Sequence, residues 1–208
     1  MSTDADDSQQ RLSQANPFES TKAKSTAPLG SDVARSRYVC YAIIAVVGCI
    51  ADLWTKSAVF QWLGPPTNVQ NIHWIVEGYV GIENSLNHGA VFGVGQGQVW
   101  FFATMSFVAL GGILYWVFKT DVARDWLLLV TLGLITGGIL GNLYDRLGIW
   151  SGFKVFAVRD WIRLSYGTHV WPNFNIADSL LVVGAGLLIW HSFKTPQSST
   201  TSVSPQNS

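Results

Sequence analysis

Four long apolar runs constrain the fold of this chain more than any other feature. They occupy residues 38–60, 99–118, 126–143 and 176–193 of the 208-residue sequence. Each approaches the roughly 20 residues that an α-helix needs to cross the hydrocarbon core of a bilayer. Lipid offers no hydrogen-bond partner to an exposed backbone, so such runs must be helical. The sequence therefore predicts an all-α membrane protein, a bundle of four transmembrane helices.

Composition supports a membrane location and argues against a nucleic-acid-binding protein and against a disulfide. Charged residues make up 12% of the chain, about half of the share in soluble domains. The formal net charge is zero, so no nucleic-acid partner is expected. Cys40 and Cys49 share the first run, where helical geometry places them roughly 13 Å apart. That separation is too large for a disulfide, which predicts that both cysteines are packing residues.

The segments outside the runs divide the chain into a membrane domain and two tails. Residues 1–36 and 195–208 are rich in small and polar residues, a composition that predicts disorder. The ordered domain is expected to extend over residues 37–194. Lys and Arg precede the first run and follow the second and fourth, whereas residues 61–98 contain neither. The positive-inside rule then predicts that both termini are cytoplasmic.

The two outer loops that follow from this orientation differ in character. Residues 71–87 carry the β-branched and aromatic residues that strands prefer, which predicts a small extracytoplasmic β element, a hairpin around Gly78. The second loop contains WIRLSYGTHVWPNF, an aromatic stretch typical of the membrane interface. This loop breaks the charge rule, and anionic lipid headgroups are candidate partners for its Lys154, Arg159 and Arg163.

The unusual polar residues are all expected at the outer end of the bundle. Asp52 and Lys56 are four residues apart, with the acid first, the favourable order for a helical ion pair. Gly133, Gly137 and Gly141 form a small-residue stripe of the kind that lets membrane helices pack closely. An ionisable residue within a span is functional by default. The other polar residues at this end are Asn87, Asn142, Asp145, Asp160, Asn175 and Asp178.

These residue types narrow the chemistry to acid–base catalysis by carboxyl groups. The four histidines are never four residues apart, so a zinc site of the HExxH type is not expected. The sequence contains no serine elbow, outward cysteine nucleophile or Gly-rich phosphate loop, and no metal or cofactor is expected. Two neighbouring carboxylates in a low-dielectric site share a proton. One can act as a base on water and the other as an acid, as in aspartic proteases.

The motifs together resemble those of the lipoprotein signal peptidases (signal peptidase II), bacterial membrane aspartic peptidases. In order they are DLWTK, NHGAVFG, GGILGNLYDR, VRDW and FNIADS, and the resemblance covers about residues 38–193. It implies that Asp160 and Asp178 are the catalytic pair. It also implies a supporting, substrate-binding set consisting of Asp52, Lys56, Asn87, Gly89, Asn142, Asp145, Arg146 and Asn175.

The resemblance implies an endopeptidase that removes the signal peptide from diacylglyceryl-modified prolipoproteins, cutting before the lipidated cysteine. It further implies a monomer in the bacterial cytoplasmic membrane, in contact with lipids, with its active site near the outer face. Trp161 and Val91 depart from the family pattern and are expected to reshape the substrate cleft. Asp160 is expected on a less constrained loop than Asp178. A small proton-coupled transporter and a non-catalytic membrane scaffold remain as alternatives, although transporter sites usually lie near the midplane.

Overall fold

The computed structural model describes residues 35–64, 66, 71–89, 95 and 97–194. Both predicted tails lie outside these residues, apart from Arg35 and Ser36 at the start of the first helix. The described chain contains two short 3₁₀ turns, four strands and four long helices. The strands are β1 (His73–Val76), β2 (Val80–Asn87), β3 (Val158–Tyr166) and β4 (His169–Val170). The helices are α1 (Arg35–Leu63), α2 (Val99–Lys119), α3 (Trp126–Arg146) and α4 (Ile176–Lys194).

All four predicted membrane helices are present, and each is long and apolar enough to cross a bilayer. The third extends beyond its predicted end, so Asp145 lies within α3 together with Asn142. It begins at an N-cap, where the Asp125 carboxylate accepts a hydrogen bond from the Leu128 amide. It stops before Gly148, which has φ +70°, a conformation that glycine adopts without strain. The helix therefore ends at Arg146, and Asp145 lies in its last turn.

Helix α3 is the central helix of the bundle. In its most apolar stretch 61% of the residues are buried, against 22% in α1 and 11% in α2 and α4. The predicted glycine stripe faces α1, because a Cβ on Gly137 would lie 2.9 Å from the Ala45 carbonyl oxygen. A Cβ on Gly138 would lie 2.6 Å from the Ala177 carbonyl oxygen of α4. Glycines on two sides of α3 therefore let both neighbouring helices approach its backbone.

The sheet is larger than the sequence predicted. The hairpin around Gly78 is confirmed, with Gly78 at φ +76° and β1 antiparallel to β2. The second loop adds β3 and β4, which gives an antiparallel sheet in the order β1-β2-β3-β4. The sequence alone did not predict these two strands, because the aromatic residues of this loop suit the membrane interface and a strand equally well. The fold is mostly helical with a four-stranded sheet.

The apolar core and the buried charged residues of the helices occupy different levels of the bundle. The core cluster is formed by the start of α1, the end of α2, the following turn and the start of α3, through residues that include Tyr41, Val117 and Leu129. The buried charged and amide side chains of these helices, Asp52, Lys56, Asn142 and Asp145, instead lie in the second half of α1 and at the end of α3. Cys40 and Cys49 are both free thiols, as predicted. The sheet is joined to the polar level of the bundle.

Replacing Gly138 with Ala should lower the stability of the protein, because the added methyl group would press on the backbone of α4. Overpacking of this kind costs about 1–3 kcal/mol. Gly112 in α2 is the matched control, since nothing lies within 4 Å of a Cβ added there. Thermal unfolding in detergent should show a lower midpoint for Gly138→Ala and an unchanged or higher one for Gly112→Ala. Equal midpoints would contradict the tight α3–α4 contact.

Candidate active site

Asp160 lies on the third strand, where its neighbours hold it on both sides. It pairs with Ser85 of β2 in the sheet register. On the other side, the amides of Trp161 and Ile162 donate to the carbonyl oxygen of Phe174 at 3.0 and 2.8 Å. Asp160 is 2% exposed. The expectation of a less constrained loop was therefore wrong, because strand partners distant in sequence fix this residue.

Asp178 lies in the first turn of α4 and takes part in a reciprocal cap of that helix. Its amide donates to Asn175 Oδ1 at 2.9 Å, and the Asn175 amide donates to Asp178 Oδ2 at 3.3 Å. This is the capping-box arrangement, built from Asn and Asp. The positive end of the helix dipole also favours a carboxylate at this position. The local sequence NIAD thus starts the helix and orients the carboxylate together.

Asn175 connects the two aspartates directly. Its side-chain amide donates to Asp160 Oδ1 at 2.6 Å, while its backbone amide and side-chain oxygen bind Asp178. Asn175 is fully buried, so these bonds fix the orientation of its amide group. The two carboxyl groups that the sequence predicted to form a pair therefore share one asparagine as a common partner.

Two further asparagines complete the hydrogen bonding of the carboxyl groups. Asn87 of β2 donates to Asp160 Oδ2 at 3.1 Å, and its own Oδ1 accepts from the Gly89 amide at 3.0 Å. Asn142 of α3 donates to Asp178 Oδ1 at 2.8 Å. Each carboxyl group thus accepts hydrogen bonds at both oxygens, from donors on different elements of the fold.

The surroundings of Asp160 favour its neutral form. Burial, followed by the nearby negative charge of Asp178, raises the pKa of Asp160 to about 7. The hydrogen bonds from Asn175 and Asn87 act in the opposite direction but do not cancel this effect. A carboxyl group with this pKa can hold a proton at neutral pH, as a general acid must.

Beneath the two aspartates lies a fully buried ammonium group. Lys56 Nζ is 2.6 Å from Asp52 Oδ2 and 3.2 Å from Asp145 Oδ2, and it donates to Asn142 Oδ1 at 2.9 Å. The predicted i, i+4 ion pair is confirmed, and its side chains are completely buried. The other oxygen of Asp52 accepts from the Ala177 amide at 2.9 Å. This cluster joins α1, α3 and the start of α4.

Arg159 joins the same cluster to the sheet. Its guanidinium and its backbone amide donate to the two oxygens of Asp145, at distances between 2.7 and 3.1 Å. The guanidinium also lies 4.9 Å from the centre of the Trp150 ring. Since Arg159 is 3% exposed, the interpretation of this residue as a contact for lipid headgroups was wrong. The charge of Arg159 instead pairs with the buried carboxylate of Asp145. Arg159 directly precedes Asp160 in the sequence.

Arg163 likewise has an internal partner. It donates to Glu83 of β2 at 2.5 Å, and Asn173 donates to the same carboxylate oxygen at 3.0 Å. The sequence interpretation did not identify Glu83 or Asn173. A signal existed in the sequence. Glu83 is the one acidic residue inside the second predicted strand, and Arg163 is a basic residue inside the aromatic stretch of the second loop. Recognising the pair required knowing that the two strands are adjacent.

The remaining predicted site residues lie around this network. Arg146 ends α3, with its guanidinium 5.7 Å from the ring centre of Phe102 in α2, and it interacts electrostatically with both Asp178 and Asp160. Trp161 is half-buried on β3, and Lys154 is exposed. Val91 lies outside the described residues. Within the described ranges, no group of three or more His, Cys, Asp or Glu residues could hold a metal ion.

Comparison with known proteins gives concordant matches. The family model of signal peptidase (SPase) II matches residues 44–194, which include every site residue described above. A lipoprotein signal peptidase of Rhodopirellula baltica is 48% identical over 174 residues, covering 81% of this chain and 78% of the relative. One of Symbiobacterium thermophilum is 32% identical over 149 residues, covering 72% of this chain and 91% of the relative.

Solved structures agree with these sequence matches. One bacterial membrane enzyme superposes with a TM-score of 0.65 at 25% identity, covering 81% of this chain and 95% of that chain. A second bacterial membrane enzyme gives a TM-score of 0.60 at 27% identity, covering 76% of this chain and 95% of that chain. Both structural matches thus cover at least three quarters of this chain and nearly all of the matched enzymes.

Replacing Lys56 with Met should destabilise the protein strongly, because the carboxylate of Asp52 would remain buried without its cation. Removing one partner of a buried ion pair costs about 3–5 kcal/mol. Thermal unfolding should show this loss, whereas the control Lys119→Met, at an exposed position, should change little. The double variant Asp52→Asn, Lys56→Met should recover part of the loss. Equal stability of the two lysine variants would contradict this account of the cluster.

Proposed function

The chain belongs to the signal peptidase II family, and we propose that it removes the signal peptide from diacylglyceryl-modified prolipoproteins by aspartic-protease chemistry. Its relatives carry the name lipoprotein signal peptidase, which supports the substrate class. The observation that carries the catalytic type is the shared Asn175, hydrogen-bonded to both Asp160 and Asp178. The comparisons give no support to a transporter or a non-catalytic scaffold.

The two carboxyl groups have different roles in this proposal. Asp178 acts as the base, because hydrogen bonds at both of its oxygens and the positive end of α4 favour a charged carboxylate there. Asp160 is neutral at the start of the reaction, because burial and the charge of Asp178 oppose its ionisation. Together they hold a single proton, the state in which one group can act as a base and the other as an acid.

The reaction begins with a water molecule bound between the dyad and the peptide carbonyl group. Asp178 accepts a proton from this water as its oxygen attacks the carbonyl carbon, and Asp160 donates its proton to the carbonyl oxygen. A gem-diol results. The carbon–nitrogen bond then breaks, Asp178 passes the water-derived proton to the leaving amine, and a diol proton returns to Asp160. The dyad is thereby restored with its one proton.

The remaining polar residues position the dyad in this proposal. Lys56 binds Asn142 Oδ1, which leaves the Asn142 amide nitrogen to donate to Asp178. Asp145 and Arg159 hold β3 against α3. These contacts act on the aspartates through other residues, so they shape the geometry of the site without exchanging protons with the substrate.

The location follows from the same reasoning. The enzyme is a multi-pass protein of the bacterial cytoplasmic membrane with both termini in the cytoplasm. The dyad lies near the outer face, where the lipid-modified end of a signal peptide is anchored. The absence of Lys and Arg from residues 61–98 supports this orientation, and the position of the carboxylates at the sheet end of the helices is consistent with it.

Replacing either Asp160 or Asp178 with Asn should reduce cleavage by at least about 10²–10⁴-fold, since each variant removes a proton-transferring group. The assay is cleavage of a purified lipid-modified precursor by purified enzyme, with thermal unfolding as the check on folding. Asp121→Asn is the control, because this carboxylate is largely exposed in a short turn and pairs with Arg124. Substantial cleavage by folded Asp178→Asn would refute the proposed dyad.

Activity should decline as the pH rises through about 7, because Asp160 then loses the proton that it must donate. Asn87→Ala should move this decline to higher pH, since Asn87 stabilises the ionised form of Asp160 and lowers its pKa. A hydrogen bond to a charged group is worth about 1.5–3 kcal/mol, so a displacement of about one to two pH units is expected.

Asn84→Ala is the matched control for this measurement. Asn84 lies on the same strand, but its amide donates to the backbone carbonyl of Gly64. Its removal should leave the pH at which activity declines unchanged, even if the overall rate changes. A shift to lower pH in Asn87→Ala, or the same shift in both variants, would count against the assignment of the proton to Asp160.

A further inference from the structure

A groove of about 430 Å³ opens beside Asp178. One wall is the first two turns of α4, and the other is formed by β3, the segment after β4 and the start of the turn into α4. The α4 wall consists of Asp178, Ser179, Val182 and Val183, and Leu164 and Trp171 lie opposite. The groove therefore starts at a carboxyl group of the dyad and runs along the helix into its apolar part.

The walls of this groove suit an apolar occupant that reaches it from the lipid. Val182 is 71% and Val183 53% exposed, so the groove is open at the surface of a helix that is long and apolar enough to cross a membrane. The Ser179 hydroxyl donates to the Asn175 carbonyl oxygen at 3.1 Å, and the Asp178 oxygens accept from Asn142 and Asn175. The polar groups of the α4 wall are thus engaged within the protein.

We propose that this groove binds one acyl chain of the diacylglyceryl group on the cysteine of the substrate. The inference rests on the proposed function, which places that cysteine directly after the bond that is cut. Only the cysteine side chain and the glycerol linkage therefore separate its acyl chains from the carbonyl group that the dyad attacks. Val182 follows Asp178 by four residues, about 6 Å along the helix axis. An acyl chain in the groove would run beside α4, towards the interior of the membrane.

The apolar part of the signal peptide is the competing occupant. Near the scissile bond the substrate must present amide and carbonyl groups, and burying these without partners is costly. The apolar side chains of Leu164, Val182 and Val183 offer no hydrogen bonds, whereas an acyl chain requires none. Burial of each methylene group is worth about 0.8 kcal/mol, so even part of an acyl chain would contribute usefully to substrate binding.

The test combines a groove variant with precursors whose acyl chains differ in length. Wild type, Val182→Trp and the control Ile189→Trp are purified as full-length proteins and assayed on dipalmitoyl and dioctanoyl forms of one precursor. The indole ring should fill the groove and raise the KM for the dipalmitoyl form about tenfold, with a much smaller effect on the dioctanoyl form and little change in kcat. Ile189 is exposed on α4 outside the groove lining, so its variant should behave like the wild type.

Two results would overturn the inference. One is that Val182→Trp changes the KM equally, or not at all, for the two chain lengths. The other is that its effect depends on the apolar residues of the signal peptide, varied at constant acyl length, which would assign the groove to the peptide. Failure of the proposed function itself looks different, because the wild type would then not cleave the lipid-modified precursor, or folded Asp178→Asn would cleave it.

Discussion

The buried ammonium group of Lys56 is the interaction on which the geometry of the site depends. It lies between the carboxylates of Asp52 and Asp145 and binds the side-chain oxygen of Asn142. Through Asp52 it is linked to the start of α4, and through Asp145 to Arg159 on β3. Charges removed from water in this way are costly unless every partner is in place. The cluster therefore tolerates few relative positions of the helices and the sheet, and the two aspartates above it are held by the same constraint.

Asn175 contacts both aspartates, but it places them in different electrostatic surroundings. Its backbone and side chain cap α4 together with Asp178, and its amide nitrogen binds Asp160. The helix terminus favours charge on Asp178, whereas the buried strand disfavours charge on Asp160. Two chemically identical side chains thereby have different surroundings, as the proposed division into an acid and a base requires. The asymmetry comes from the backbone elements that carry the two residues, one a helix start and the other a strand.

The sequence was sufficient to predict the four helices, the hairpin at Gly78 and the ion pair of Asp52 with Lys56. Each is encoded locally, by an apolar run, a turn residue or a spacing of four. The third and fourth strands were missed because an aromatic loop and a strand have similar compositions, and only pairing with β2 distinguishes them. Arg159 and Arg163 were misinterpreted for the same reason, since their partners, Asp145 and Glu83, lie on other elements. Contacts between elements distant in sequence could not be read from spacing.

In the proposed mechanism, both aspartates are held in place by the protein before the substrate binds. Asp160 is fixed by strand pairing and by Asn175 and Asn87, so in the proposed mechanism substrate is not needed to bring the two carboxyl groups into place. Selectivity must then come from delivery of the correct bond to a site of fixed depth. A lipid anchor next to that bond restricts its position in the membrane, and a groove beginning at Asp178 could hold part of that anchor. Specificity for lipid-modified precursors would then arise from the same helix, α4, that carries Asp178, the proposed base.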